Sequence, residues 1–214
     1  MPYVTVIVLA AAAYLLGSIP FGFLLVKYVR KEDIRQKGSG NIGATNVVRS
    51  GAKGLGALTF LLDACKGALA VLLCGWLGAH SPLPAVSSSD ALALGALFAI
   101  LGHIYPVWLG FKGGKGVATA FGVFIALAPW PALCSLGLFI LLFAVSRYVS
   151  LGSIVATIFF PIFAWLLPNR PQGTLMWSVI LFLAVLVIYK HRQNIVRLLR
   201  GTEYRFGKPR TEAA

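Results

Sequence analysis

Carboxylates are scarce in this chain. Its 214 residues hold six Asp and Glu against nineteen Lys and Arg, and the six stand apart at positions 32, 33, 63, 90, 203 and 212. That dispersal argues against a divalent-metal centre built from clustered acids, and so against phosphatidyl transfer from a CDP-lipid; no cofactor is expected. Cysteine is equally thin. Cys65, Cys74 and Cys134 lie in apolar stretches without C-x-x-C spacing, which indicates neither a disulfide framework nor a zinc site. Polar surface is what the chain lacks most. With 12% charged and 58% hydrophobic residues and a mean hydropathy of +0.84, it has too little polar surface to cover a soluble domain, so its solvent is lipid.

Apolar segments fall at Tyr3–Val26, Leu55–Ala79, Ala91–Leu109, Val117–Val145, Leu151–Leu167 and Leu175–Tyr189. No charged region precedes the first, and it runs on past Ala10–Ala13 to Lys27, which predicts a span rather than a cleaved signal. The fourth is long for one pass, whereas two passes of about 15 residues reach only about 22 Å each. Charge decides between the two. Splitting the segment at Pro129 and Pro131 puts seventeen of the nineteen basic residues on one side, leaving Arg170 opposite and Lys66 inside a span. Without the split, Arg147 and the basic tail move to the other side, against the positive-inside rule. The expectation is an all-α membrane protein forming a single domain over residues 1–214. It has seven transmembrane helices, the N-terminus outside, the C-terminus cytoplasmic, and short, partly buried cytoplasmic loops. Such loops are tolerated at membrane depth only when shielded from lipid.

A net charge of +13 suits attraction to anionic membrane lipid. Nucleic acid is not an expected partner, since the basic residues are distributed among membrane loops with no binding motif. The glycines between the charges need another explanation. In the first loop, Lys37 to Arg49, Gly38, Gly40 and Gly43 let backbone N–H groups turn toward one point. Ser39, Asn41, Thr45 and Asn46 add short polar side chains, and Arg49 can grip a phosphate through paired hydrogen bonds. The stretch reads as a phosphate cradle or as an ordinary polar turn. The third loop, Gly110 to Thr119, resembles a nucleotide P-loop only superficially, because Gly116 stands where that motif requires a hydroxyl. Lys115, flanked by Gly113, Gly114 and Gly116, can approach an oxyanion without obstruction; a flexible linker with a snorkelling lysine is the other reading.

In the tail, His191, Asn194 and Arg197 recur every third residue and share about 120° of a helix surface, able to converge on one ligand or to lie on headgroups as a basic amphipathic helix. Ser150 and Ser153 add hydroxyls to the fifth loop, a weaker signal. Asp63 and Lys66, three apart within a span, must face protein or water, as an ion pair or as support for a site. His103 reads more readily as an interior histidine than as a catalyst. Four clusters, each modest alone, fall on one side once charge fixes the topology.

The sequence resembles the bacterial acyl-phosphate:glycerol-3-phosphate acyltransferase family over essentially its whole length. The resemblance is carried by Gly17-Ser18-Ile19-Pro20-Phe21-Gly22, Gly38–Arg49, Asp63-Ala64-Cys65-Lys66-Gly67, Gly102–Thr119, and His191–Arg197 with Gly201 and Glu203. It implies transfer of a fatty acyl group from acyl phosphate to the 1-hydroxyl of glycerol 3-phosphate in a bacterial inner membrane. The products would be lysophosphatidic acid and phosphate, with an upstream enzyme supplying the acyl phosphate. Lys115, His191 and Asn194 are the expected catalytic residues. Phosphate binding is expected from Ser39, Gly40, Asn41, Thr45, Asn46, Arg49, Gly113, Gly114, Gly116, Ser150, Ser153 and Arg197. An acyl phosphate is already activated, so positioning and charge neutralisation can suffice. This accounts for a further absence. The H-x-x-x-x-D pattern of other acyltransferases is missing, as Ala85, Trp108 and Val196 stand five residues after the three histidines. The rival class is a carrier for organic phosphates, disfavoured because basic residues do not line the spans.

Overall fold

Lipid leaves no water to satisfy an open backbone, so a spanning chain must bond each peptide group within its own segment. The computed structural model describes residues 2–80, 86–168 and 170–207, and among them the regular structure is entirely helical. In order these are α1 (Pro2–Ser18), α2 (Phe21–Arg30), α3 (Ala44–Arg49), α4 (Lys53–His80), α5 (Ser88–Ile104), α6 (Val117–Leu127), α7 (Pro129–Ser146), α8 (Val149–Leu166), α9 (Thr174–Lys190) and α10 (Arg192–Leu199), with short 3-10 turns at Ile34–Gln36 and Val107–Leu109.

Five stretches are long and apolar enough to cross a membrane: Tyr3–Arg30, Lys53–His80, Ser88–Leu109, Pro129–Ser146 and Val149–Leu166. A sixth arises if α9 and α10, bent by 53° at His191, count as one span. The expected division of the fourth apolar segment is present as a break at Ala128, with Pro129 opening α7. Its first part, α6, has only 11 residues, roughly 16 Å of helix. The first span is present but its helix is broken. Pro20 offers no N–H and disfavours helical geometry in the residue before it, so α1 ends at Ser18 and α2 restarts at Phe21.

Each long helix sorts its residues between lipid and protein. On α4, Leu58, Leu61, Cys65, Leu69, Leu72 and Trp76 recur at three- to four-residue steps on the exposed face, while Asp63 and Lys66 opposite are each 2% exposed. Because lipid tails are as apolar as leucine, helices associate in a membrane through close packing, which favours small residues at crossings. Gly17 of α1 lies against Ala99 of α5, and Gly122 of α6 lies so close to α4 that an added Cβ would stand 1.7 Å from the Ala64 carbonyl oxygen. The buried core is correspondingly rich in alanine: Ala13, Ala70, Ala91, Ala93, Ala96 and Ala99 are all fully inaccessible.

These crossings bring four connections to one end of the bundle: the segment from Lys31 to Gly43 with α3, the loop from Tyr105 to Gly116, the α7–α8 turn, and α10 with the tail to Gly207. Lys208 and Arg210 of the predicted basic tail lie outside the described residues.

Candidate active site

The first loop is built around one buried amide. Asn46 accepts a hydrogen bond from Ser39 N at 2.8 Å and donates to the carbonyls of Ile34, Lys37 and Asn41 at 3.2, 3.0 and 2.7 Å. Asn41 in turn accepts from Gly43 N at 2.8 Å. Gly40 turns the chain at φ +73°, a left-handed conformation that a side chain would strain. Past Gly43, α3 places Thr45 and Arg49 four residues apart on one face, and the Arg49 guanidinium stacks 4.3 Å above the Tyr204 ring.

The third loop folds back on the end of α5. Gly113 N and Gly114 N donate to the carbonyls of Ile104 and His103 at 3.2 and 3.0 Å. Gly116, at φ +90°, then starts α6. This aims Lys115 inward, where its ammonium donates to Asn194 Oδ1. The Asn194 amide is thereby oriented without ambiguity: its oxygen must face a donor-only ammonium, and its Nδ2 faces a carboxylate, Glu203 Oε1, at 2.6 Å. Glu203 also accepts from Arg197 Nε at 2.7 Å and from Ser150 Oγ at 2.8 Å. Burial would raise the Glu203 pKa, but the bonds from Asn194, Arg197 and Ser150 outweigh it and hold the carboxyl below its ordinary range.

His191 sits at the bend between α9 and α10, 3% exposed. Its Nδ1 lies 2.8 Å from the Val187 carbonyl oxygen, an acceptor only, so Nδ1 carries the proton and Nε2 keeps its lone pair. Burial, reinforced by the Lys115 charge, pushes its pKa down to about 4, so the ring is neutral. Burial likewise lowers Lys115 to about 8, with Glu203 opposing and Arg197 and Arg49 adding to the fall.

These groups line one polar cavity of about 150 Å³. Of the residues expected from sequence, it brings together Ser39, Asn41, Thr45, Asn46, Arg49, Lys115, Gly116, Ser150, His191, Asn194 and Arg197. Gly40, Gly113, Gly114 and Ser153 are not among its walls. Gly40 shapes the first loop, the glycine pair packs on His103, and Ser153 faces a second, apolar cavity also of about 150 Å³. The two cavities share Phe60, Val117 and Phe139 as walls, so an apolar space between α6, α7, α8 and α9 opens beside the polar one. Arg49, Lys115 and Arg197 face the polar cavity against the carboxylates of Glu203 and Asp63, and Asp63 is already paired with Lys66 at 2.7 Å. The lining therefore keeps a cationic surplus suited to phosphate.

Four further polar side chains reach the cavity beyond those expected to catalyse or to bind phosphate. Glu203 collects the Asn194, Arg197 and Ser150 side chains; the signal for it was its isolation, as the sole acid between Asp90 and Glu212. Tyr204 seats Arg49, with no signal beyond adjacency. Asp63, read as part of an ion pair or as support for a site, and His103, read as an interior histidine, are both buried and both reach the cavity wall.

Comparison with known proteins agrees with this architecture. Residues 7–201 match the family described as glycerol-3-phosphate acyltransferase. A relative of that name from Trichlorobacter lovleyi is 50% identical over 196 residues, covering 92% of this chain and 95% of its own. Another from Geobacter sulfurreducens is 48% identical over 200 residues, covering 94% and 97%. Crystal structures of PlsY (YgiH), an integral membrane glycerol 3-phosphate acyltransferase, in its glycerol 3-phosphate and lysophosphatidic acid forms, superpose with TM-scores of 0.83 and 0.81 at 42% identity. Each alignment covers 94% of this chain, and 96% and 95% of the respective neighbour. This polytopic membrane chain belongs to the glycerol-3-phosphate acyltransferase family.

Proposed function

We propose that this enzyme transfers a fatty acyl group from an acyl phosphate to the 1-hydroxyl of glycerol 3-phosphate at the cytoplasmic face of a bacterial inner membrane. The products are lysophosphatidic acid and inorganic phosphate. The observation that carries the reading is the junction of a cationic polar cavity with an apolar one across Phe60, Val117 and Phe139. A phosphate-bearing head and a fatty tail meet at that boundary, where the acyl carbon must sit. In membrane terms the chain is one domain of seven spans, with α6 and α7 passing in opposite directions and the basic loops inside; the charge distribution supports this orientation. A separate enzyme supplies the acyl phosphate.

In the proposed reaction the glycerol hydroxyl oxygen attacks the acyl carbonyl carbon, and the bond from that carbon to the phosphate oxygen breaks. Ser39, Thr45 and Arg49 hold one phosphate, while Lys115 and Arg197 neutralise charge on the leaving one. Asn194 and the glycine-flanked loop fix Lys115, so its charge is in place before the reaction. His191 accepts a hydrogen bond from the attacking hydroxyl at Nε2 and orients it. A ring whose pKa is about 4, beside the Lys115 ammonium, is a poor final proton acceptor. The hydroxyl proton therefore passes to an oxygen of a substrate phosphate, whose second pKa lies near 6.

Purified protein in detergent, given acyl phosphate and glycerol 3-phosphate, should release lysophosphatidic acid and phosphate in equal amounts without coenzyme A. EDTA should leave the rate unchanged, because no group of His, Cys, Asp or Glu among the described residues is arranged to hold a metal. Turnover only with an acyl thioester would overturn the donor assignment.

A further inference from the structure

Three titratable side chains lie buried beside the site without a part in the reaction just described. Lys66 Nζ is 2.7 Å from Asp63 Oδ1, and the same oxygen is 3.5 Å from His103 Nδ1. All three residues are no more than 3% exposed. Charged groups at this depth are expensive, and an ion pair alone is a poor source of stability, so their retention calls for a specific use. The contacts at each end of the cluster indicate what it is. At one end Lys66 Nζ donates to the Ile19 carbonyl at 2.7 Å, holding the break between α1 and α2. At the other, His103 is the bed of the loop that carries Lys115. Its carbonyl accepts from Gly114 N at 3.0 Å, and its ring fills the space where a Gly114 side chain would be, an added Cβ lying 1.9 Å from Nε2.

We propose that the Asp63–Lys66–His103 cluster is a positioning device for Lys115, acting through the seat that the His103 ring provides for Gly114. Asp63 Oδ1 lies against the ring at 3.5 Å without a hydrogen bond to it, Lys66 pairs with Asp63, and Lys66 is itself anchored at the α1–α2 break. The ring then sets the height of the Gly113–Gly114 backbone and, one residue on, the point at which the Lys115 ammonium meets Asn194. This inference rests on the acyl-transfer reading above, in which Lys115 acts on developing charge. Displacement of the loop should accordingly lower kcat more than it raises the KM for glycerol 3-phosphate.

The experiment is a double-mutant cycle on the full-length protein in detergent, using His103→Ala and Gly114→Ala, with His103→Gln as the conservative replacement. Gly114→Ala drives a methyl group into the ring; His103→Ala removes the ring. If the contact positions Lys115, the double variant should be at least tenfold more active than the product of the two single losses. Independent sites would match that product within about twofold. His103→Gln should recover part of the kcat lost in His103→Ala. The pH profile gives a readout that loss of folded protein does not move. Removing the ring admits water beside Lys115, so the upper limb of kcat/KM should shift upward from about pH 8. Fewer folded molecules would scale every point equally. Should His103→Ala fail to insert, His103→Ser with the same Gly114 partner reads the same coupling. Multiplicative losses with an unmoved pH profile, in an active wild-type background, would sink the positioning role alone. A folded wild type that makes no lysophosphatidic acid would instead sink the acyl-transfer reading beneath it.

Discussion

Lys115→Ala should lower kcat/KM at least about 100-fold while the protein still inserts and folds, the order lost when a single charge-stabilising donor is removed from an active site. The expectation follows from where the side chain points. Its ammonium is directed into the polar cavity by Asn194 on one side and by the glycine loop on the other. It packs no core, so its loss costs chemistry rather than stability. The pH dependence has a definite sign. Burial has lowered the Lys115 pKa from 10.5 to about 8, so the charged form is present below that value and is lost as pH rises through it. In the wild type kcat/KM should therefore fall above about pH 8, and Lys115→Arg, with a guanidinium that stays charged, should extend whatever activity it retains to higher pH. Near-normal kinetics in a correctly inserted Lys115→Ala protein would return the third loop to a simple linker.

Arg49→Ala should be comparably severe, with a loss of at least about 100-fold in kcat/KM expressed chiefly as a higher KM for glycerol 3-phosphate. Arg49 lines the cavity, and its guanidinium stacks on the Tyr204 ring 4.3 Å away. A stacked guanidinium presents two parallel N–H groups to a phosphate, which an ammonium cannot imitate. Arg49→Lys should consequently recover only part of the loss, and Tyr204→Leu should weaken substrate binding to a smaller degree. Steady-state kinetics over a range of glycerol 3-phosphate concentrations checks all three; an unchanged KM in Arg49→Ala would remove the first loop from phosphate binding.

What the sequence made legible, and what it did not, divides along a physical line. Short-range patterns were readable. Apolar runs marked the helices, Pro129 marked the break between α6 and α7, and glycines interleaved with Ser, Thr, Asn, Lys and Arg marked the loops that close on the cavity. The three-residue spacing of His191, Asn194 and Arg197 put all three along the cavity, His191 at the bend before α10 and the other two on α10. Contacts made by a distant partner were not readable. Glu203 stood in the family resemblance without a role, because its meaning lies in Ser150, 53 positions away, and in Asn194 across the turn after α10. Gly113 and Gly114 were expected to bind phosphate because a glycine-flanked lysine invites that reading; their backbone packs on His103, outside the cavity walls. Pro20 lay inside an apolar run long enough to span, and hydropathy counts residues without asking which of them lacks an N–H.

The central claim is that the four basic connections form one site of chemistry at one end of the bundle, not one mouth of a passage through it. Reconstitution into sealed liposomes tests this most directly. Protein-containing vesicles receive external acyl phosphate and radiolabelled glycerol 3-phosphate, with label counted separately in the lipid fraction and in the trapped water. The account predicts label in lysophosphatidic acid, abolished by Lys115→Ala, and none trapped as glycerol 3-phosphate. Label accumulating in the lumen as unchanged glycerol 3-phosphate, with no lysophosphatidic acid formed, would contradict it and make the protein a carrier.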